Sequence, residues 1–139
     1  MNKYPNVTQK VLLKQGNKIL ILRHKDGAYD FPGGQLEWGE ELFDSPRREL
    51  SEELGFKLDG QPRLFHVWNY ISKDKKRHSV MIYYIHKLKG ALNLVSPEGL
   101  KILWLTKDEM KKVVRDKNYV ERMFNWRDPG ARPSIYYCG

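Results

Sequence analysis

A stretch too rich in glycine and proline for a regular helix runs directly into one whose helical period is plain. Phe31-Pro32-Gly33-Gly34-Gln35-Leu36-Glu37-Trp38-Gly39-Glu40 reads as a partly extended loop, with adjacent glycines that let backbone approach a ligand closely. From about Leu42 to Leu54, Phe43, Leu50 and Leu54, with the stem of Arg47, recur at the helical spacing. Gly55 then supplies a left-handed residue to end the helix, and Phe56 can fold back onto Leu50. Pro46 is safe only in a first turn. It either moves the start toward Asp44, a residue able to cap, or leaves that turn irregular.

Around this helix the chain alternates strands and helices. Val7–Lys14 and Lys18–His24 read as strands about the turn Gln15-Gly16-Asn17, and Lys25–Asp30 as a loop. Arg63–Ser72 and Ser79–Lys87 form a longer pair across the turn Lys73–His78, and Leu100–Leu105 is a further short strand. Thr106 with Glu109 makes a capping box for a helix to about Arg115, and another helix is expected near Asn118–Trp126. The tail after about residue 128 reads as irregular. The 139 residues, 40% hydrophobic, are enough for one domain and too few for two. Strands mixed with helices at this length predict an α/β or α+β sandwich.

The helix breaks a stability rule three times. Glu49, Glu52 and Glu53 stand at i, i+3 and i+4, so one face carries three like charges, each pair costing roughly 0.2–0.5 kcal/mol. Glu52 and Glu53 also fall in the last turn, at the negative end of the helix dipole, where each is disfavoured by about 0.3–1 kcal/mol. Stability alone would have placed lysines there. Residues 37 to 53 hold seven acids and two bases, a charge of −5, which leaves +13 on the rest of a chain whose total is +8. An acidic island in a basic chain suits hard divalent cations, with a basic surround that draws a polyanion. Solvated surface glutamates are the plain alternative. Arg48, four residues before Glu52, can hydrogen-bond that carboxylate and fix its rotamer.

Gly34, Glu40, Arg48-Glu49-Leu50, Glu52-Glu53 and Gly55-Phe56 together resemble the Nudix box, a 23-residue motif running here from Gly34 to Phe56 with all nine specified positions filled. The entry Tyr29-Asp30-Phe31-Pro32-Gly33-Gly34 is similar to the family's usual aromatic-x-F-P-G-G. Ser45-Pro46 departs from the small helix formers usual there, which puts the helix start in doubt and leaves the glutamates untouched.

The resemblance implies a Nudix fold, an α/β/α sandwich around a mixed sheet. It also implies divalent-metal-dependent hydrolysis of a phosphoanhydride bond in a nucleoside diphosphate derivative: a nucleoside triphosphate, a nucleotide sugar or a dinucleoside polyphosphate. Mg²⁺ or Mn²⁺ would be held by Glu49, Glu52 and Glu53 with the Gly33 carbonyl. Glu98, six residues before Trp104, would reach the metals from a loop or serve as an ordinary turn residue. The general base is Glu52, Glu53 or Glu98, and Glu40 would join through water or orient the loop. Arg23 would contact phosphate, and Tyr29, Phe65, Trp68 and Tyr70 would stack on a base or pack in the core.

Two other functions stay open. One is removal of pyrophosphate from an RNA end, which the positive charge favours and which would make the Lys73–His78 turn a polyanion contact rather than a solvated turn. The other is a nucleotide-binding module that has lost catalysis, although no box glutamate is missing. A structural Ca²⁺ site lacks its alternating-ligand loop. His24, His66, His78 and His86 show no ligand spacing. No apolar stretch is long enough to cross a bilayer, Cys138 has no partner for a disulfide, and Met1–Pro5 leads into no signal-peptide core. A soluble cytoplasmic protein is the expectation.

Overall fold

Val11, Leu12 and Leu13 in one strand and Ile19 to Leu22 in the next are at most 1% exposed. Strands buried on both faces need cover on both. The computed structural model, which describes residues 3–90 and 92–128, supplies it. In β1 (Asn6–Gln15) and β2 (Lys18–Arg23) successive side chains point to opposite sides. Val11, Leu13, Leu20 and Leu22 pack with Leu50 and Leu54 of α1 (Asp44–Leu54). Leu12, Ile19 and Ile21 pack with Met110 of α2 (Lys107–Val113) and Val120 and Met123 of α3 (Lys117–Phe124). The expected helix–sheet–helix sandwich follows.

The remaining strands are β3 (Tyr29–Asp30), β4 (Gly33–Gln35), β5 (Arg63–Ile71), β6 (His78–Lys87) and β7 (Lys101–Leu105). The order is β3-β2-β1-β6-β5, with β4 also on β1 and β7 also on β2. β1 runs parallel to β6 from Asn6↔Ser79 to Lys14↔Lys87, and every other pairing is antiparallel, so the sheet is mixed. β1 and β2 pair only beside their turn, at Lys14↔Ile19 and Gln15↔Lys18, and then part. The segment 29–35 enters the gap as a wedge: β3 pairs with β2, β4 pairs with β1, and the Val11 N–H donates to the Pro32 carbonyl at 2.9 Å. The glycine loop is therefore part of the sheet, next to the helix that follows it.

Several boundaries shift. The expected loop Lys25–Asp30 ends in a two-residue strand, because Tyr29 and Asp30 find an edge of β2 to pair with. α1 begins at Asp44 rather than Leu42. Asp44 is the first helical residue and not the cap, which is Phe43 without a side-chain bond, so Pro46 lies harmlessly in the first turn. At the other end Gly55 adopts φ 62°, with the Gly55 N–H donating to the Ser51 carbonyl at 3.0 Å and the Phe56 N–H to that of Leu50 at 3.3 Å. Thr106 and Glu109 form the reciprocal capping box, but α2 stops at Val113. The tail after Asp128, with Cys138, lies outside the described residues. No helix among the described residues is long and apolar enough to cross a membrane.

Candidate active site

Two glycines let the end of α1 meet the sheet. A Cβ on Gly33, whose φ is 139°, would stand 2.0 Å from the Gln9 carbonyl oxygen and 2.8 Å from the Lys10 Cα, so only glycine fits against β1. Its N–H donates to Glu53 Oε1 at 2.7 Å. A Cβ on Gly34 would stand 2.4 Å from Glu49 Oε1, in space that the Glu49 carboxylate fills. The pair of glycines thus forms a wall against which Glu49 and Glu53, one helical turn apart, place their carboxylates.

Arg48 gathers the other acids. Its Nε and Nη2 donate to the two oxygens of Glu40 at 2.8 and 3.2 Å, its Nη1 to Glu49 at 3.0 Å, and its Nη2 to the Gln35 carbonyl at 3.2 Å. Glu37 and Glu52 stand farther off, each 3.5 Å from Nη1. The guanidinium holds the Glu40 carboxyl below the usual carboxylate range, and the guanidinium itself is held well above its ordinary value by Glu40. The expected hydrogen bond from Arg48 to Glu52 forms, but at 3.5 Å it is longer than those to Glu40 and Glu49. The planar fork matches Glu40 two bonds at once, tying the glycine loop to the helix.

The three glutamates do not converge as three stacked carboxylates. Glu49 and Glu52 turn toward Arg48, while Glu53 turns inward to Gly33. Among the described residues no three His, Cys, Asp or Glu side chains form a ready group for a metal ion.

Glu53 is 9% exposed, and burial pushes its carboxyl up to about 7. The Gly33 N–H and the Lys10 ammonium pull it down, while Glu49 and Glu98 push it further up. Lys10 is itself buried and bonded to Asp30 at 2.8 Å. On the opposite face of β1, Gln9 donates to the Leu42 carbonyl at 2.9 Å and accepts from the Tyr84 hydroxyl at 2.6 Å, which fixes the approach to α1. Gln9 and Lys10 escaped the sequence reading. The available signal was a Gln-Lys pair set in a strand otherwise reading as core.

Glu98 lies on the turn Ser96–Gly99, its N–H donating to Ser96 Oγ at 3.2 Å. Pro97 of that turn lies beside Gly55, so the loop borders the C-terminal end of α1 and its charge is felt at Glu53. Arg23 and Tyr29 stand together across the β2–β3 ladder, the guanidinium 5.3 Å from the ring centre, and partner each other rather than the glutamates. Phe65 packs against the core, whereas Trp68 and Tyr70 are 40% and 42% exposed.

This arrangement places a buried carboxylate, a second one beside it and a third on a bordering loop around a glycine wall. Comparison with known proteins points the same way. The family model for the NUDIX domain matches residues 5–125. The chain is 32% identical over 114 residues to an 8-oxo-dGTP diphosphatase of Buchnera aphidicola subsp. Schizaphis graminum, covering 78% of this chain and 82% of that protein. It is 29% identical over 126 residues to a MutT-like protein of Streptomyces ambofaciens, covering 90% and 77%. A MutT NUDIX hydrolase from Burkholderia pseudomallei superposes with a TM-score of 0.65 at 25% identity, over 77% of this chain and 87% of that one.

Proposed function

The chain belongs to the Nudix family, enzymes that hydrolyse phosphoanhydrides, and from that premise we propose that it cuts such a bond in a nucleoside diphosphate derivative with the help of Mg²⁺ or Mn²⁺. The substrates in view are nucleoside triphosphates, nucleotide sugars and dinucleoside polyphosphates. The observation that carries the reading is the buried Glu53 carboxylate beside Glu49 at a pair of glycines, the first of which admits no side chain.

The donor set fits a hard divalent cation. Glu49, Glu52, Glu53 and Glu98 offer carboxylate oxygens and Gly33 a carbonyl, the oxygen ligands that Mg²⁺ and Mn²⁺ prefer. Glu53 has one N–H donor for a buried charge, and the neighbouring Glu49 and Glu98 make that charge costlier, so the site is short of positive charge. When bound, divalent cations neutralise diphosphate oxygens and lower the pKa of the attacking water.

The chain's own residues do the rest. Gly33 and Gly34 leave room for the backbone of β1 and for the Glu49 carboxylate, which lets Glu49 and Glu53 sit against the loop. Arg48 positions Glu49 and, through Glu40, the loop before the helix. Glu52, Glu53 and Glu98 are the candidates to take the proton of the attacking water. Arg23, braced on Tyr29, is the candidate cation for a distal phosphate.

The test is a screen of nucleotides, nucleotide sugars, dinucleotides and triphosphorylated RNA with Mg²⁺ or Mn²⁺, products identified by mass. Cation-dependent release of a phosphate or nucleotide fragment is expected. Tight nucleotide binding with no cation-dependent turnover of any of them overturns the reading.

A further inference from the structure

β5 is an edge of the sheet, and its second half lies beyond the cover of α3. Tyr119 of α3 packs edge-on against Phe65, His66 and Tyr83, with ring centres 5.5, 5.7 and 6.0 Å away. Past that contact Trp68 pairs with Met81 and Tyr70 with Ser79, so the two exposed rings share one sheet face. Residues two apart on a strand are about 7 Å apart, which makes two successive platforms. The row through Trp68 continues across the sheet through Met81 and Thr8 to Gln35, three strand spacings or about 14 Å from the glycine loop.

Beyond Tyr70 the strand enters a turn that is built to hold its shape. The Ser72 hydroxyl donates to Asp74 at 2.6 Å and accepts from the Arg77 N–H at 3.0 Å, the Lys76 N–H donates to Asp74 at 3.0 Å, and Lys75 takes a positive φ of 58°. Asp74 is thereby engaged within the turn, while Lys73, Lys75, Lys76 and Arg77 are all exposed. The Arg77 guanidinium lies 6.0 Å from the Tyr70 ring centre, so the cations begin where the rings end.

We propose that Trp68, Tyr70 and the basic turn form a track for single-stranded RNA whose 5′ polyphosphate end lies at the glutamates. Stacking rings followed by backbone-neutralising cations are the recognition chemistry of single strands. Such 5′ ends arise wherever a polymerase starts a chain from a nucleoside triphosphate. The reaction stays the one already proposed: water forms a bond to phosphorus and gives up its proton to a glutamate of the site, an anhydride P–O bond breaks, and the leaving phosphate carries off the electron pair. The proposal rests on that reading of the site and adds the class of substrate. Charge favours RNA over a second copy of the chain, which would lay one basic turn against another basic molecule. The exposed aliphatics Leu64, Val67 and Ile71 fall on the other face of β5 from Trp68 and Tyr70 and have no part in the track.

The experiment compares a 5′-triphosphorylated oligoribonucleotide with the nucleoside triphosphate matching its first residue. With four cations on phosphates, kcat/KM for the oligomer should fall about 50-fold between 50 and 200 mM salt, and only about 7-fold in Lys73→Gln/Lys76→Gln, where two remain. The ratio of oligomer to mononucleotide kcat/KM should drop in that variant. Without metal, the oligomer should quench tryptophan fluorescence, and Trp68→Phe should lose that quench. Equal salt dependence of the two substrates overturns the proposal, as does a dimer in sedimentation that Tyr70→Ala splits. Turnover of the mononucleotide with no advantage for the oligomer sinks the track and spares the hydrolase. Turnover of neither sinks the hydrolase, and the fluorescence then decides the track.

Discussion

Replacing Glu53 by glutamine should make the metal-free protein more stable above neutral pH while removing its activity. Burial raises the carboxyl from its ordinary 4.5 to about 7. A raised carboxyl favours the fold while it is protonated. That contribution is complete below pH 4.5 and is lost as the pH climbs through 7. The full displacement is worth about 3 kcal/mol, and solvent at the edge of the site reduces it to about 2 kcal/mol. Glutamine keeps an oxygen to accept the Gly33 N–H and carries no charge to bury.

Urea and thermal unfolding in a chelator, from pH 5 to 9, is the assay. Wild type should lose about 2 kcal/mol relative to Glu53→Gln over that range, a difference in midpoint of roughly 4–8 °C at the alkaline end. Mg²⁺ at pH 8 should restore wild type and leave the variant unmoved, and turnover in the variant should fall by orders of magnitude. Parallel stability curves for the two proteins would refute the electrostatic account of Glu53.

Gly34→Ala should displace the Glu49 carboxylate, which is the flexible end of a side chain, so a loss of turnover of about 100-fold is expected with less than about 1 kcal/mol of stability. Turnover kinetics beside a denaturation curve separates the two effects. Arg48→Lys should keep the charge and lose the two-bond grip on Glu40, lowering cation affinity by about 10-fold or more, as read by titration of Mn²⁺.

What could be read from the chain follows from how far each feature reaches. The acidic face of α1, its end at Gly55 and the Thr106–Glu109 box are set by neighbours within a turn, and spacing along the sequence displays them. Arg48 does reach Glu52, at 3.5 Å, but its tighter partner went unread for the converse reason. Helical spacing offers Asp44 and Glu52, whereas Glu40 reaches the guanidinium through the shape of a loop. Nothing along the chain marks Lys10 as buried, since lysine seldom is. Its burial depends on β3 bringing Asp30 beside β1, a pairing between segments twenty residues apart. The insertion of 29–35 between β1 and β2 is equally non-local, and alternation within each strand carries no trace of it.

That insertion has an effect on how such a protein can diversify. Gaining or losing one residue between Tyr29 and Gln35 would slide β4 along β1 and carry Gly33 and Gly34 off their only permissible neighbours. Length variation is barred where the glutamates are aimed, while the outer strand with its lysine-rich bend and the Ser96–Gly99 corner carry no such lock. The same lock that makes the reacting centre intolerant of change frees its rim to be rewritten.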